Sequence, residues 1–95
     1  MEQRQKIVEF LKSPAFLRLG RQMQGNNWQG MCMGIRSMQQ KCKELDLTVF
    51  DRYLVQLRDA AMHRDSNGCK QILAMMVSKR VQLLKELEQK NNEIY

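Results

Sequence analysis

The side chains that could perform covalent or metal chemistry are few in this 95-residue chain: three cysteines, Cys32, Cys42 and Cys69, and one histidine, His63. No two cysteines form a CxxC pair, so a zinc site or a thiol–imidazole centre would need distant residues to converge. The chain also has no Gly-rich phosphate loop after a strand and no Glu-x-x-His metal pair. We therefore expect no enzyme, no cofactor and no metal site. We interpret the cysteines as buried, reduced thiols of a cytoplasmic protein.

Basic residues are the second group that could carry a function, because they outnumber the acidic ones. There are 16 Lys and Arg against 10 Asp and Glu, which gives a net charge of +6. Residues 1–43 hold eight basic and only two acidic residues, whereas residues 44–95 hold eight of each. This distribution favours an acidic protein surface or a phosphate backbone as partner. Bases scattered over solvated helix faces would explain the same composition without any partner.

An apolar stripe with helical spacing organises the chain between residues 26 and 47. Its members recur at steps of three and four residues: Trp28, Met31, Ile35, Met38, Cys42 and Leu45. Asn26 or Asn27 can cap the start of this helix, and Gly30 and Gly34 on one of its faces would admit a neighbouring helix closely. A helix that buries six such positions needs other helices around it. The stripe therefore predicts one wall of a helical bundle.

The remaining segments predict further helices joined by short loops. Residues 3–12 form a short amphipathic helix, and Ser13 then suits the cap of a second helix whose apolar candidates include Leu17. Thr48, with Asp51 three residues later, fits a capping box for the next helix. Asp65 or Ser66 can cap a long final helix, on which Arg80 is the one polar residue among apolar positions, and we interpret it as a snorkelling side chain.

These elements predict an all-α fold, an up-down antiparallel four-helix bundle with a split or kinked N-terminal helix. We expect a single domain over residues 1–95, with the N-terminal helix at residues 1–12, the bundle core at 13–88 and a frayed tail at 89–95. We find no internal repeat and no strand signal. No run of about 18 apolar residues is present, so we expect no membrane span.

The segment NNWQGMCMGIRSMQQKCKELDL, residues 26–47, is followed by an amphipathic helix, the break HRDSNG and another helix. Together they resemble a histidine-containing phosphotransfer (HPt) domain of bacterial two-component signalling. Such domains have a turn like Gly-Asp-Trp, a helix with the pattern His-Ser/Thr-Leu-Lys-Gly, and a Leu-Gly break. Aligned on Trp28, the pattern falls on residues 36–40 and the break on Leu45-Asp46. The resemblance is one of pattern and spacing and extends from Leu17 to Leu87.

The departures from that family remove its chemistry. Arg36 stands where the phosphorylated imidazole would be, and a guanidinium that stays protonated cannot act as a nucleophile. Gln39 replaces the lysine that neutralises the phosphoryl group, and Gln40 replaces the small glycine. His63, at the end of a helix, we interpret as a stabilising cap rather than a substitute acceptor. The resemblance thus implies a non-catalytic version that still docks an acidic, receiver-like protein.

We predict that the partner-binding residues are Arg36, Gln39, Gln40, Lys43 and Met33, with methionine supplying adaptable apolar contact. Two alternatives stay open at this point. The net charge and the isoelectric point of about 9.6 also fit a small basic nucleic-acid-binding helical protein. Exposed Met and Leu on the first helix would also allow a homodimer.

Overall fold

The structure, a computed structural model, describes the backbone of residues 2–92 and the side chains of residues 3–88. Within that range there is no strand, and the chain forms five α-helices and one 3-10 turn. They are α1 (Glu2–Lys12), α2 (Ala15–Gln24), α3 (Trp28–Glu44), the turn at Thr48–Phe50, α4 (Asp51–Met62) and α5 (Ser66–Asn92). The predicted all-α fold with a split N-terminal helix is confirmed.

The apolar stripe of α3 is the centre of the core. Met31, Ile35, Met38 and Cys42 are buried on the helix, and Leu45 is buried just beyond its end, whereas Trp28 is half-buried. α3 packs against α2 and α4, and α5 packs against α4, α2 and α1. The prediction that this stripe faces other helices is therefore confirmed. The up-down order of the helices stays a prediction.

Aromatic rings and one arginine attach α1 to the rest of the bundle. The ring centroid of Phe16 in α2 lies 5.5 Å from that of Phe10 in α1 and 5.4 Å from that of Phe50 in the 3-10 turn. Nε of Arg80 donates a hydrogen bond to the carbonyl oxygen of Leu11 at 2.6 Å. The Arg80 guanidinium also lies 5.6 Å from the centroid of the Phe16 ring. Arg80 thus does more than snorkel, because it bridges α5 to both parts of the split helix.

Three helices end in the same way, with a non-glycine residue in the left-handed region. These residues are Asn26 (φ 58°), Asp46 (φ 54°) and Arg64 (φ 54°). At the end of α2, the N–H of Asn26 donates to the carbonyl of Met23, and the next N–H donates to the carbonyl of Gln22. This pair of bonds is the Schellman arrangement, which satisfies carbonyls that the helix end leaves unpaired. Each such residue turns the chain sharply into the following segment.

The pair α2 and α3, here the first hairpin, has the same design as the pair α4 and α5, the second hairpin. Five buried positions recur 38 residues later: Phe16 and Leu54, Leu19 and Leu57, Met23 and Ala61, Met31 and Cys69, and Met38 and Met76. Burial recurs at this spacing while few residue types do, so the two hairpins share a packing pattern rather than a sequence repeat.

The connecting turns of the two hairpins recur with the same spacing. Oδ1 of Asn27 accepts a hydrogen bond from the N–H of Gly30 at 3.0 Å, and Oδ1 of Asp65 accepts one from the N–H of Gly68 at the same distance. Both glycines leave room for the capping side chain, since an added Cβ would collide with it. The predicted caps at Asn27 and Asp65 are confirmed. The reason expected for Gly30, room for a neighbouring helix, is wrong.

Two other predicted caps and one core position are also wrong. α2 follows Pro14 at its N-cap, with no side-chain cap, and Oγ of Ser13 is buried with no hydrogen-bond partner in the described part of the chain. The 3-10 turn begins at Thr48 and α4 at Asp51, again with no side-chain cap, so the capping box does not form. Leu17 is 60% exposed, because the buried face of α2 runs through positions 16, 19 and 23.

The last helix is longer than predicted. α5 runs to Asn92 and so includes residues 89–92, where a frayed tail is expected. Residues 93–95 of that predicted tail lie outside the described part of the chain. Every helix within residues 2–92 is too short or too polar to span a membrane.

Candidate functional site

Four of the five predicted partner-binding residues lie on one exposed face of α3. Met33, Arg36, Gln40 and Lys43 are exposed, and their spacing of three and four residues places them on a common stripe. Gln39 lies beside that stripe and is partly buried. This face is separate from the buried stripe at positions 31, 35, 38 and 42, and Arg36 lies near the middle of the helix.

α4 adds residues to this face that the sequence analysis missed. Arg36 and Met33 line a shallow depression of about 270 Å³ together with Arg58 and Met62, which lie four residues apart on α4. The side chains of Met33 and Met62 are 65% and 64% exposed. The only sequence signal for Arg58 and Met62 is that they fall off the buried face of α4, which runs through positions 54, 57 and 61.

The depression is positively charged, and none of the described residues that line it is acidic. Among residues 3–88, neither Arg36 nor Arg58 has a carboxylate within 4 Å, since the ion pairs there are Lys12–Glu88, Lys41–Glu44 and His63–Asp59. Cys32 and Gln29 complete the lining. Two guanidinium groups beside exposed thioethers can pair with carboxylates and also contact apolar side chains.

The thiols have the properties of buried core residues. Burial, and to a smaller extent the charge of Asp51, raises the pKa of Cys42 to about 11. Burial likewise raises the pKa of Cys69, with smaller effects of Asp65 and Cys32. Because the thiolate is the nucleophile and the metal ligand, Cys42 and Cys69 are poorly suited to either role near neutral pH. Within the described residues, no three His, Cys, Asp or Glu side chains lie together as a metal site would require.

His63 lies at the C-terminal end of α4, where the sequence places it. Its Nδ1 is 2.8 Å from the carbonyl oxygen of Asp59 and 3.7 Å from Oδ1 of the same residue. The histidine is the C-cap of the helix and is well exposed. A ring that contacts a carbonyl of the last turn stabilises the helix end.

Comparison of the chain with protein-family models, with characterised proteins and with solved structures finds no match. The resemblance to a phosphotransfer domain is therefore not tested by any relative. The site rests on the geometry of α3 and α4 alone.

Proposed function

We propose that this protein is a non-catalytic protein-interaction module that docks an acidic protein partner. The docking surface, here the α3–α4 face, consists of Met33, Arg36, Gln40 and Lys43 of α3 with Arg58 and Met62 of α4. The observation that carries the proposal is the pair Arg36 and Arg58, which line one depression between two exposed methionines and have no carboxylate within 4 Å among residues 3–88.

The composition of the α3–α4 face favours a protein over a nucleic acid as partner. Arginine and methionine are enriched at protein–protein interfaces, where lysine is depleted. Desolvated arginines are also frequent binding hot spots. A nucleic-acid interface would rely mainly on phosphate contacts, and exposed methionines add little to those.

The identity of the partner is a finer proposal that depends on the family resemblance. An HPt-like module without its histidine would dock a receiver-like protein of bacterial two-component signalling, in the cytoplasm. The acidic phosphorylation pocket of such a partner would face Arg36, which occupies the position of the missing imidazole. Gln39 and Gln40 would then contribute polar contacts at the edge of the same surface.

The experiment is capture of the partner from source lysate on immobilised protein, with Arg36→Glu compared against Arg21→Glu. Arg21 is also exposed, lies on α2 and is outside the α3–α4 face, so both variants change the charge equally. A partner that binds this face should be retained by wild type and Arg21→Glu. Arg36→Glu should weaken its binding by about tenfold or more, because a charge-assisted pair becomes a repulsion.

Controls separate the alternatives. Circular dichroism should show the same helicity in both variants, because Arg36 is exposed, and loss of helicity would make Arg36 structural instead. Capture that disappears after nuclease treatment, or falls steeply with added salt, would favour the nucleic-acid alternative. Equal retention by both variants would remove Arg36 from the site. Light scattering at several protein concentrations tests the homodimer alternative.

A further inference from the structure

A second groove lies between α1, α2 and α3, and it adjoins the α3–α4 face at Met33, which lines both. It has a volume of about 640 Å³, and buried Phe10, Leu19 and Met38, one from each helix, form its floor. We call it the α1–α3 groove. Its size and largely apolar floor are those of a small-molecule site rather than of a packing defect.

Small residues on α3 shape the groove. Gly34 and Ser37 line it, and Gly34 lets α2 pack closely, since an added Cβ there would lie 2.9 Å from Cδ2 of Leu19. The second hairpin has Ile72 and Met75 at the corresponding positions, 38 residues later. The second hairpin thus holds large apolar side chains at the two positions where the first hairpin has glycine and serine. The groove is therefore a property of the first hairpin and not of the fold.

Cations surround this apolar floor. Each of the three helices contributes one to the lining: Lys6 from α1, Arg18 from α2 and Lys41 from α3. Among the residues whose side chains the structure describes, Glu9 is the one acidic member of the lining. Among residues 3–88, Lys6 and Arg18 have no ion pair, and Lys41 is 3.8 Å from the exposed carboxylate of Glu44. The charge complementarity points to an anionic ligand.

The lining also contains the two buried side-chain polar atoms for which the described residues provide no partner. They are Oγ of Ser13, at the break between α1 and α2, and Oε1 of Gln22 on α2. Buried polar groups are normally paired, so these two atoms are available to pair with a ligand in the groove. The Ser13 hydroxyl can donate, and rotation of the Gln22 amide presents its NH2 group, so both side chains can donate to an anion.

We propose that the α1–α3 groove binds a single-chain amphiphilic carboxylate, a fatty-acid-like anion. The carboxylate lies among Lys6, Arg18 and Lys41, where the planar guanidinium of Arg18 can bind both oxygens. The hydrocarbon chain covers the apolar floor. A peptide fits less well, because its backbone N–H groups would meet few acceptors there. This site shares Met33 with the α3–α4 face but none of that face's arginines, and it goes beyond the proposed function.

The probe is sodium decanoate, titrated into the full chain by isothermal calorimetry below its micelle concentration. We expect saturable binding of one decanoate per chain, and weaker binding of decanol, which has the same tail but no charge. No saturable binding, or equal binding of decanol, would overturn the proposal. Tighter binding of decyl phosphate than of decanoate would assign the groove to a phosphorylated amphiphile and overturn the choice of a carboxylate.

Two matched pairs of variants locate the binding. Ser37→Met introduces the residue that the second hairpin has at this position and should reduce decanoate affinity by about tenfold or more, because it fills the groove. Ser78→Met makes the same change at an exposed position of α5 outside this groove and should leave the affinity unchanged. Equal effects of the two variants would place decanoate elsewhere.

The second pair tests the carboxylate contact. Arg18→Gln introduces the residue at the corresponding position 56 and should weaken decanoate binding by about tenfold, whereas Arg21→Gln on the same helix should not. A similar loss of decanoate affinity in the two variants would show that net charge alone attracts the ligand. That result would overturn the proposed carboxylate site. Arg36→Glu should retain decanoate binding, so failure of the docking proposal and failure of this one are separable.

Discussion

Replacing Arg80 with methionine should loosen α1 from the bundle, because one side chain contacts both parts of the split N-terminal helix. Arg80 donates to the carbonyl of Leu11 at 2.6 Å and stacks over Phe16 at 5.6 Å. Leu11 is in the last turn of α1, where carbonyls have no partner within the helix. The variant keeps most of the apolar stem and removes the charge and the donor.

The size of the effect follows from these two contacts. A hydrogen bond from a charged donor contributes about 1.5–3 kcal/mol to stability, and a partly exposed cation–π contact about 0.5–1 kcal/mol. Methionine recovers part of this through its own contact with Phe16. We expect a net loss of about 2 kcal/mol in the free energy of unfolding. For a domain of this size, that corresponds to a fall in Tm of about 10 °C.

Urea denaturation and hydrogen exchange would measure this loss. Amides of α1 should exchange faster in Arg80→Met, while those of α3 and α4 should change only through the global stability. Lys79→Met is the matched control, since among residues 3–88 the one side-chain hydrogen bond of Lys79 is to Gln82, at 3.4 Å within α5. A loss below about 0.5 kcal/mol, or one no larger than in the control, would refute the role of Arg80 as a bridge.

Three further predictions test the core, the caps and the buried thiol. Ile35→Ala should lower the free energy of unfolding by about 3 kcal/mol, because Ile35 is 0% exposed. Met33→Ala should change it by no more than about 0.5 kcal/mol, because Met33 is 65% exposed. Thermal unfolding of both variants checks which face of α3 is buried. Asn27→Ala should cost about 1 kcal/mol by chemical denaturation, since it removes the bond to the Gly30 N–H, and a neutral result would show that the cap is not needed. Burial raises the pKa of Cys42 from 9.0 to about 11, so the stability that its neutral thiol contributes is complete below pH 9.0 and is lost as the pH rises to about 11. Unfolding free energy should therefore fall more steeply over that range in wild type than in Cys42→Ala, and parallel pH profiles would contradict this.

The sequence was sufficient to predict the inward face of α3 because burial there follows a strict helical period. Met31, Ile35 and Met38 recur at steps that only a helix places on one side. The failed caps at Ser13 and Thr48 show the limit of such reasoning. Both residue types suit a cap, but whether a side chain reaches the first-turn amides depends on the path of the chain, and here Pro14 and a 3-10 turn set that path.

The candidate site was only half predictable for a related reason. Arg36 could be placed on the exposed face of α3 from its position relative to the stripe. Arg58 and Met62 could not be added, because their contact with that face depends on how α4 lies against α3. The same holds for the α1–α3 groove, whose three cations are far apart in sequence and line one groove only in the folded chain.

The repeated hairpin offers an internal comparison that bears on the docking surface. The groove between α2 and α5 corresponds to the depression between α3 and α4, and at the positions equivalent to Arg58 and Arg36 it is lined by Gly20 and Ala74. The equivalent positions of the repeated hairpin thus hold small, uncharged residues. The packing of the helices therefore does not require an arginine at position 36 or 58. Two arginines that line one depression, that have no ion pair among residues 3–88 and that the fold does not need support the proposed docking surface. The same comparison predicts that Arg36→Glu leaves the bundle folded, which makes its effect on a partner interpretable.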